Sequence, residues 1–308
     1  MSFASDTIVI SPALATRSLA ENVQEFWKYR RLVWTMVERD LRVRYKGSVL
    51  GVVWSMIVPI MQAFIYTIVF GVILGTGGKN LSAYIFCALV PWLFFQSAIM
   101  DASQSILSQL QLIKKVYFPR ELPVIAATIS SLIHLTISLT VFVVYRFVIL
   151  SLMWHQWAGP PSTSIVYLPI VLFELFLLTL GISFFVAALN VFYEDIKFVV
   201  TIGLQFFMYL TPIMYFAENL RYARKIPQSL HWAAYHFYLG NPIAWIVGSF
   251  KQMFFPPAHV PCPGLPHGLQ TAPFDPRYCL ITLVTSALVC IAGYRTFTKL
   301  KWRFTERV

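Results

Sequence analysis

Six long apolar runs constrain this chain more than any other feature of its sequence. Five of them contain no Asp, Glu, Lys or Arg, and the sixth is interrupted only by Glu174. A helix needs about 20 mostly apolar residues to cross the ~30 Å hydrocarbon core of a bilayer. The sequence therefore predicts six transmembrane helices, at residues 49–75, 80–100, 122–145, 165–193, 198–217 and 278–294.

The composition agrees with this prediction and excludes two other classes of protein. Hydrophobic residues make up 58% of the chain and charged residues only 12%, whereas soluble domains carry about 25% charged residues. The net charge is +11, but the basic residues lie in clusters between uncharged runs. A nucleic-acid-binding protein would spread them over a polar surface. We therefore expect an all-α integral membrane protein that binds no nucleic acid.

The positions of the basic residues predict the topology. Six spans place both termini on the same side of the membrane. If that side is the cytoplasm, the inner segments hold 17 of the 24 Lys and Arg residues, and most of the others lie in one long outer loop. Long loops carry little weight in the positive-inside rule. The sequence thus predicts a flexible cytoplasmic tail (1–21), a transmembrane domain (49–295) and a basic cytoplasmic tail (296–308).

Residues 22–48 have the pattern of an amphipathic helix rather than a span. Apolar and aromatic side chains recur at three- and four-residue steps, with basic side chains between them, and Asp40 and Arg44 have the spacing of a favourable helical pair. This pattern is typical of a helix in the inner headgroup plane, facing anionic lipids. A simple positive-inside flank would explain the charge but not the spaced aromatics. The residues expected to carry this role are Trp34, Arg39, Arg42, Arg44, Tyr45 and Lys46.

A short basic segment at 109–121 joins the second and third predicted spans on the cytoplasmic side. Two prolines punctuate it, and its aromatic side chains are expected to be exposed. Such a link docks a soluble partner or serves only as a topology signal, and its residues alone leave both interpretations open. The residues expected to dock are Lys114, Lys115, Val116, Tyr117, Phe118 and Arg120.

The outer segment 218–277 is long and unusual. Residues 226–250 are uncharged, but Gly240, Asn241 and Pro242 interrupt them, which predicts two half-helices that enter the membrane and return, with these three residues at the outer gate. An extracellular lid is the alternative. Residues 255–276 contain seven prolines and are predicted to be extended. Cys262 and Cys279 flank this stretch, so a disulfide between them is possible in an oxidising compartment.

Recognised catalytic and nucleotide-binding motifs are missing from the sequence. Residues 75–80 resemble a phosphate-binding loop, but Ile73 and Asn80 stand where a Walker motif needs Gly and Ser or Thr. No HExxH, paired CxxC or GxSxG sequence occurs. We therefore expect no catalysis, no metal and no cofactor bound by this chain. Glu174 and Asp101 are intramembrane carboxylates, too few to favour a proton relay.

Aromatic residues are abundant in the predicted spans. They make up 16% of the chain, and their rigid, partly polar rings suit contact with sugar faces along a transport path. Each ring by itself is more simply explained by packing. The candidates for a glycan path are Tyr66, Trp92, Phe94, Phe95, Tyr209 and Tyr215.

Several segments together resemble a known family. The stretch at 39–51, RDLRVRYKGSVLG, runs on into Trp54 and Pro59, and it is followed by VPWLFF at 90–95 and NVFYEDIK at 190–197. Asn241 and Pro242 occupy the position between two outer half-helices. This pattern, over residues 22–300, is similar to the permease subunits of type-2 ABC exporters for cell-surface polysaccharides such as O-antigen, teichoic acid and capsule.

The resemblance implies more than the residues alone show. It implies a homodimer with six spans per protomer, two separate ABC ATPase subunits that use ATP and Mg, and a channel between the protomers for a lipid-linked glycan. It places the protein in a bacterial inner membrane. It also assigns the ATPase-coupling helix to 109–121 and the outer gate to the half-helices. The outer loop of this chain is long and proline-rich for the family.

Three alternative functions were weighed. A type-2 ABC exporter of small lipophilic molecules shares the six-span plan but has less use for so many aromatic residues. An ion-coupled transporter would normally contain more intramembrane charge and internal repeats. A membrane glycosyl- or acyltransferase would need a group of acids, bases or metal ligands that the sequence does not offer.

Overall fold

The structure is a computed structural model. It describes residues 27–47, 53–75, 80–111, 118–149, 160–218, 227–257, 259–262 and 265–304. The tail predicted at 1–21 lies outside the described residues, as do residues 112–117 of the predicted coupling segment. The described part of the chain is mainly helical, which confirms the all-α integral membrane class.

Nine α-helices follow one another along the described chain. They are α1 (Arg30–Tyr45), α2 (Val53–Tyr66), α3 (Leu81–Ser105), α4 (Leu122–Val144), α5 (Leu168–Phe192), α6 (Ile196–Leu210), α7 (Gln228–Leu239), α8 (Pro242–Phe254) and α9 (Pro276–Leu300). Short π or 3-10 turns adjoin five of them: Thr67–Ile73 follows α2, Leu107–Gln109 follows α3, Tyr145–Ile149 follows α4, Thr163–Tyr167 precedes α5, and Lys301–Arg303 follows α9.

Five helices of the described chain are long and apolar enough to cross a membrane. With their extensions they cover Met56–Ile73, Leu81–Ser105, Leu122–Val148, Thr163–Phe192 and Pro276–Arg303. All five coincide with predicted spans, although two of them, in α3 and α9, continue several residues beyond the predicted ends. The sequence pattern therefore located these spans correctly.

The sixth predicted span is shorter than expected. The prediction ran from 198 to 217, but α6 ends at Leu210, and Thr211 is extended with ψ of 142°. The cause is Pro212, because a proline disfavours helical geometry in the residue before it. At 15 residues, α6 rises only about 22 Å, less than the ~30 Å of a hydrocarbon core.

Helix α3 occupies the centre of the bundle. It packs against α2, α4, α5, α6 and α8, and most of its side chains are buried. In α2, by contrast, only Pro59 and Ala63 are buried among the described side chains. The helices alternate in direction, which defines two ends. We call the end with residues 106–111, residues 118–121, Tyr193–Asp195 and the last turn of α9 the link end. The opposite end, with α7, α8 and the loop before α9, is the hairpin end.

Helices α5 and α9 form the tightest pair. Two glycines meet at their crossing, and a Cβ atom added to Gly293 would lie 2.0 Å from the carbonyl oxygen of Gly181. A Cβ on Gly181 would lie 2.6 Å from the backbone of Cys290. Small residues at such a crossing let two backbones approach closely, which is a common basis of helix association in membranes.

The outer segment contains the predicted break and one unexpected element. Helices α7 and α8 are separated at Gly240 and Asn241, as the sequence predicts. After α8 the chain forms an antiparallel hairpin of β1 (His259–Cys262) and β2 (Leu265–Gln270), with His259 opposite Gln270. The proline-rich stretch is thus extended, as predicted, but it pairs with itself.

The crossing of α5 and α9 predicts a strong effect of one added methyl group. Replacing Gly293 with Ala forces the two helices apart, and overpacking of this kind costs about 1–3 kcal/mol. We expect the thermal unfolding midpoint of the detergent-purified protein to fall by several degrees.

Gly203 on α6 provides the control, because a Cβ added there meets nothing within 4 Å. Gly203→Ala should leave the midpoint unchanged or slightly higher. Equal midpoints for Gly293→Ala and the unmodified protein would contradict the close helix crossing.

Candidate functional site: the two ends of the helix bundle

Two polar contacts attach the C-terminal end of α1 to the neighbouring spans. The Arg44 guanidinium forms an ion pair with the Asp101 carboxylate on α3, and the Ser131 hydroxyl on α4 donates to the same carboxylate oxygen over 3.0 Å. The Tyr45 hydroxyl lies 2.8 Å from Nδ1 of His134, also on α4. The end of α1 is therefore held to two helices at once.

On the charged side of α1, Arg44 does not pair with Asp40 as the sequence suggested. Arg39 pairs with the adjacent Asp40 at 2.7 Å, and Arg44 reaches α3 instead of Asp40. Arg42 and Lys46 are exposed, and so is Trp34. An exposed basic and aromatic side is compatible with the predicted interfacial position of α1, which stays a prediction.

The apolar side of α1 packs on the beginning of α4. Met36 and Val37 are buried against Phe118, Leu122 and Ala126. Phe118 is only 5% exposed, so the expectation that it projects outward for docking is wrong. It fills the contact between α1 and α4 instead, because the chain turns into α4 immediately after it.

The last residues of the predicted coupling segment are bound to the end of α9. Nζ of Lys301 lies 2.6 Å from Oε1 of Glu121, and Nη1 of Arg120 donates to the Lys301 carbonyl oxygen over 2.5 Å. Glu121 is only 2% exposed, so water screens this pair poorly. The other predicted docking residues, Lys114, Lys115, Val116 and Tyr117, lie outside the described residues.

A cavity of roughly 580 Å³ lies at the link end between α1, α3 and α4. The ion pairs of Arg39 and Arg44 border it on one side, and Gln109 and Ser130 on the other. The Gln109 amide and the Ser130 hydroxyl are buried without a hydrogen-bond partner among the described residues. This is a polar cavity at the point where the predicted coupling segment begins.

The candidate glycan-path residues divide into two groups. Trp92, Phe94 and Phe95 lie in the core of the protomer, and Trp92 is 0% exposed, with its ring 6.3 Å from that of Phe207. A side chain in this position does not line a path between two protomers. Tyr209 is 60% exposed, and Tyr66 and Tyr215 are half-buried. The role of these three residues in a glycan path stays a prediction.

Among the described residues, α2 and α6 expose several large apolar side chains. Both helices pack on α3 and turn most of their large side chains away from the rest of the protomer. The exposed residues include Trp54, Met61, Phe64 and Ile65 on α2, and Phe198, Val199, Ile202 and Phe206 on α6. In a membrane these faces contact lipid or another protein chain.

At the hairpin end, a buried lysine binds backbone carbonyls. Lys251 on α8 is 3% exposed, and its ammonium donates to the carbonyl oxygens of Pro212, Ile213 and Tyr215. Its Nζ also lies 4.6 Å from the centroid of the Tyr84 ring, a favourable cation–π distance. The lysine thereby fixes the irregular segment that follows α6.

The two helices on either side of the predicted gate are both held to the rest of the bundle. On α7, the Tyr238 hydroxyl lies 2.8 Å from that of Tyr215, and Nδ1 of His236 lies 2.5 Å from the hydroxyl of Tyr278 on α9. On α8, most side chains are buried. Gly240 ends α7, and Asn241 and Pro242 begin α8. The gate residues therefore separate two helices that are each anchored to the bundle.

The intramembrane Glu174 has a single described partner. The Cys279 thiol on α9 donates to Oε1 of Glu174 over 3.0 Å, and Cys279 is a free cysteine. The side chain of Cys262 lies outside the described residues, so the disulfide considered for this pair finds no support. Among the described residues, no group of three or more His, Cys, Asp or Glu side chains has the arrangement of a metal site.

Sequence analysis missed two of these contacts. Lys251 and its carbonyl partners are 36 to 39 residues apart, and Lys301 and Glu121 are 180 apart. No local pattern connects residues at such separations. The one available signal was a lysine in a strongly apolar segment, since such a charge is usually paired or bonded when it is buried.

Comparison with known proteins identifies the family. The family described as "ABC-2 type transporter" matches residues 31–255, which include α1 to α8 and the two attachments of α1. The chain belongs to the ABC-2 type transporter family. The match confirms the resemblance seen in the sequence, and a permease of this family is a transport subunit rather than an enzyme.

Curated relatives of this ABC-2 family chain carry a common description. The chain is 27% identical over 276 residues to an O-antigen export system permease protein RfbA of Klebsiella pneumoniae. The aligned region covers 89% of this chain and 94% of the relative. The chain is 26% identical over 235 residues to the protein of the same description from Myxococcus xanthus. That alignment covers 76% of this chain and 84% of the relative.

The carbonyl contacts of Lys251 predict a loss of stability in this ABC-2 permease. Lys251→Met keeps the apolar stem but leaves three carbonyl oxygens without their donor. Hydrogen bonds to a charged group contribute about 1.5–3 kcal/mol each. We expect a lower thermal unfolding midpoint and faster maleimide labelling of a cysteine placed at Ala217.

Lys299→Met is the matched control, because Lys299 is exposed on the last turn of α9. This substitution should change neither the thermal unfolding midpoint nor the labelling rate at position 217. An unchanged midpoint in Lys251→Met would show that these carbonyls do not depend on the ammonium.

Proposed function

We propose that this chain is the membrane-spanning subunit of an ATP-driven exporter that moves a lipid-linked, O-antigen-like polysaccharide out of the cytoplasm. One observation carries the proposal: relatives described as O-antigen export permeases align with 89% of the chain. The family match supports the same transport class. The chain itself performs no catalysis and binds no cofactor.

A second copy of the chain completes the path. Helices α2 and α6 flank α3 and expose wide apolar faces, and these are the surfaces on which two protomers would meet. Tyr209 on α6 is exposed, and Tyr66 on α2 packs against the edge of the core and is half-buried. Rings of this kind suit contact with sugar faces. The path therefore runs between the protomers rather than through the packed core around Trp92.

Two ABC ATPase subunits, which use ATP and Mg, bind at the link end. Lys114, Lys115 and Tyr117 lie in the segment between α3 and α4 and supply the docking contacts. The link end faces the cytoplasm of a bacterial cell, with both termini on that side of the inner membrane. The exposed basic side of α1 faces the anionic headgroups of the same leaflet.

The described contacts indicate how a displacement of the link would spread. Phe118 packs against Met36 and Val37, so a movement of the link shifts α1. The ion pair of Arg44 with Asp101 and the contact of Tyr45 with His134 tie α1 to α3 and α4. Link, α1 and the inner halves of two spans thus move as one unit, which opens the path beside α2.

The first test is purification of the tagged chain from its native membranes in mild detergent. We expect a second protein with a Walker motif to co-purify at equal stoichiometry, and ATPase activity to be present in the complex. A preparation that contains no ATPase, also after cross-linking in the membrane, would contradict the proposal.

The second test is export in a strain from which the gene has been deleted. The deletion strain should lack the surface polysaccharide and accumulate lipid-linked polymer inside the cell. The unmodified gene should restore export, whereas Lys114→Glu combined with Lys115→Glu should restore less than a tenth of it, because charge reversal removes the docking contacts.

Arg295→Glu reverses an exposed charge on α9 and should restore export fully. Membrane abundance of each variant is measured by immunoblot. Full export by the Lys114 and Lys115 double variant would refute the docking assignment, and surface polysaccharide in the deletion strain would refute the function.

A further inference from the structure

Helix α9 contacts the predicted coupling segment at one of its ends. Lys301 follows the last residue of α9 and pairs with Glu121, while Arg120 donates to the Lys301 carbonyl oxygen. These two contacts are directional, and Glu121 is buried. A displacement of residues 118–121 would therefore pull or push the end of α9 along its axis.

The opposite end of α9 contacts both helices that adjoin the predicted gate. The Tyr278 hydroxyl bonds to His236 on α7, and the two rings are stacked with an interplanar angle of 16°. The Tyr278 ring also lies 5.2 Å from that of Trp245 on α8. One residue of α9 thus touches the chain on both sides of Gly240 and Asn241.

Between these two contacts, α9 is continuous and supported along its side. Its 25 residues span about 38 Å, which exceeds the hydrocarbon thickness. The contact between Gly293 and Gly181 leaves no space between α9 and α5. Close-packed helices of this kind transmit displacement instead of absorbing it. Helices α5 and α9 thus form a stiff pair from the link end to the hairpin end.

We propose that α9 is a strut that carries the displacement of the coupling segment to the outer gate, with Glu121 and Lys301 as positioning residues at its inner end and Tyr278 and His236 at its outer end. This inference rests on the proposed function, because the displacement comes from the ATPase subunits. Coupling between distant sites requires an element whose position both sites bias, and α9 meets that requirement through direct contacts at each end.

The strut differs from the route through α1. Phe118 and the Arg44–Asp101 pair transmit movement of the link to the inner halves of α3 and α4. They make no described contact with α7 or α8. If only that route operated, breaking the Glu121–Lys301 pair would leave the response of the outer gate intact.

The test measures the outer gate directly in the assembled complex. The native cysteines are replaced by serine, and a cysteine is placed at Ser229, an exposed position on α7. The permease and its ATPase subunits are reconstituted in liposomes, and the rate of labelling by a membrane-impermeant maleimide is compared with and without ATP. We expect ATP to change the rate at least threefold.

Four variants separate coupling from folding. Glu121→Gln and Tyr278→Phe remove one contact at each end, and both should abolish the ATP-dependent change while the labelling rate without ATP stays the same. The double variant Glu121→Lys with Lys301→Glu keeps an ion pair of reversed polarity and should restore the ATP-dependent change in labelling rate. Lys299→Gln, which alters an exposed charge on the same turn, should retain it.

A merely structural role would alter the thermal midpoint or the basal labelling rate but not the ATP-dependent difference. Persistence of the full ATP response in Glu121→Gln, or its loss in the charge-exchanged double variant, would overturn the strut. A complex that exports polymer without any ATP response at position 229 would overturn the strut but not the function. A complex that contains no ATPase would overturn both.

Discussion

Backbone groups inside an apolar environment have no water to bind, so every break in a helix needs another partner. The structure meets this constraint at the hairpin end with Lys251, whose ammonium binds three carbonyl oxygens just after α6 ends. At the end of α6 itself, the carbonyl oxygens of Tyr209 and Leu210 accept from the Tyr215 hydroxyl, and the Lys251 contact supports the segment that follows. It also connects α8 to α6, so the position of the outer helices depends on it.

At the link end, ion pairs between side chains hold the segments together, whereas at the hairpin end a side chain binds free backbone carbonyls. Asp101 and Glu121 each bind a basic residue from an element distant in sequence, and Phe118 fills the contact between α1 and α4. Such contacts are directional, unlike the apolar packing around α3, which is satisfied by many arrangements. In an exporter, this is the end where a small displacement has to be transferred without loss.

Much of the fold was predictable because its signals are local. Twenty apolar residues in a row predict a span wherever they occur, and Gly240, Asn241 and Pro242 predict a break by their own backbone preferences. The error at α6 came from giving hydrophobicity more weight than Pro212, whose effect on Thr211 is equally local. The hairpin at 259–270 was missed because prolines disfavour strand pairing except at edges.

The sequence by itself determined which segments enter the membrane, that α1 is amphipathic, and that no Walker motif is present, because each of these depends on neighbouring residues alone. Only the tertiary structure decided which aromatic rings are packed inside, and it buried Trp92 while leaving Tyr209 exposed. It also joined Glu121 to Lys301 across 180 residues. Hydrophobicity determines that a helix lies in an apolar environment. Because lipid and protein are equally apolar, it does not determine which side of the helix meets another helix, and packing decides this.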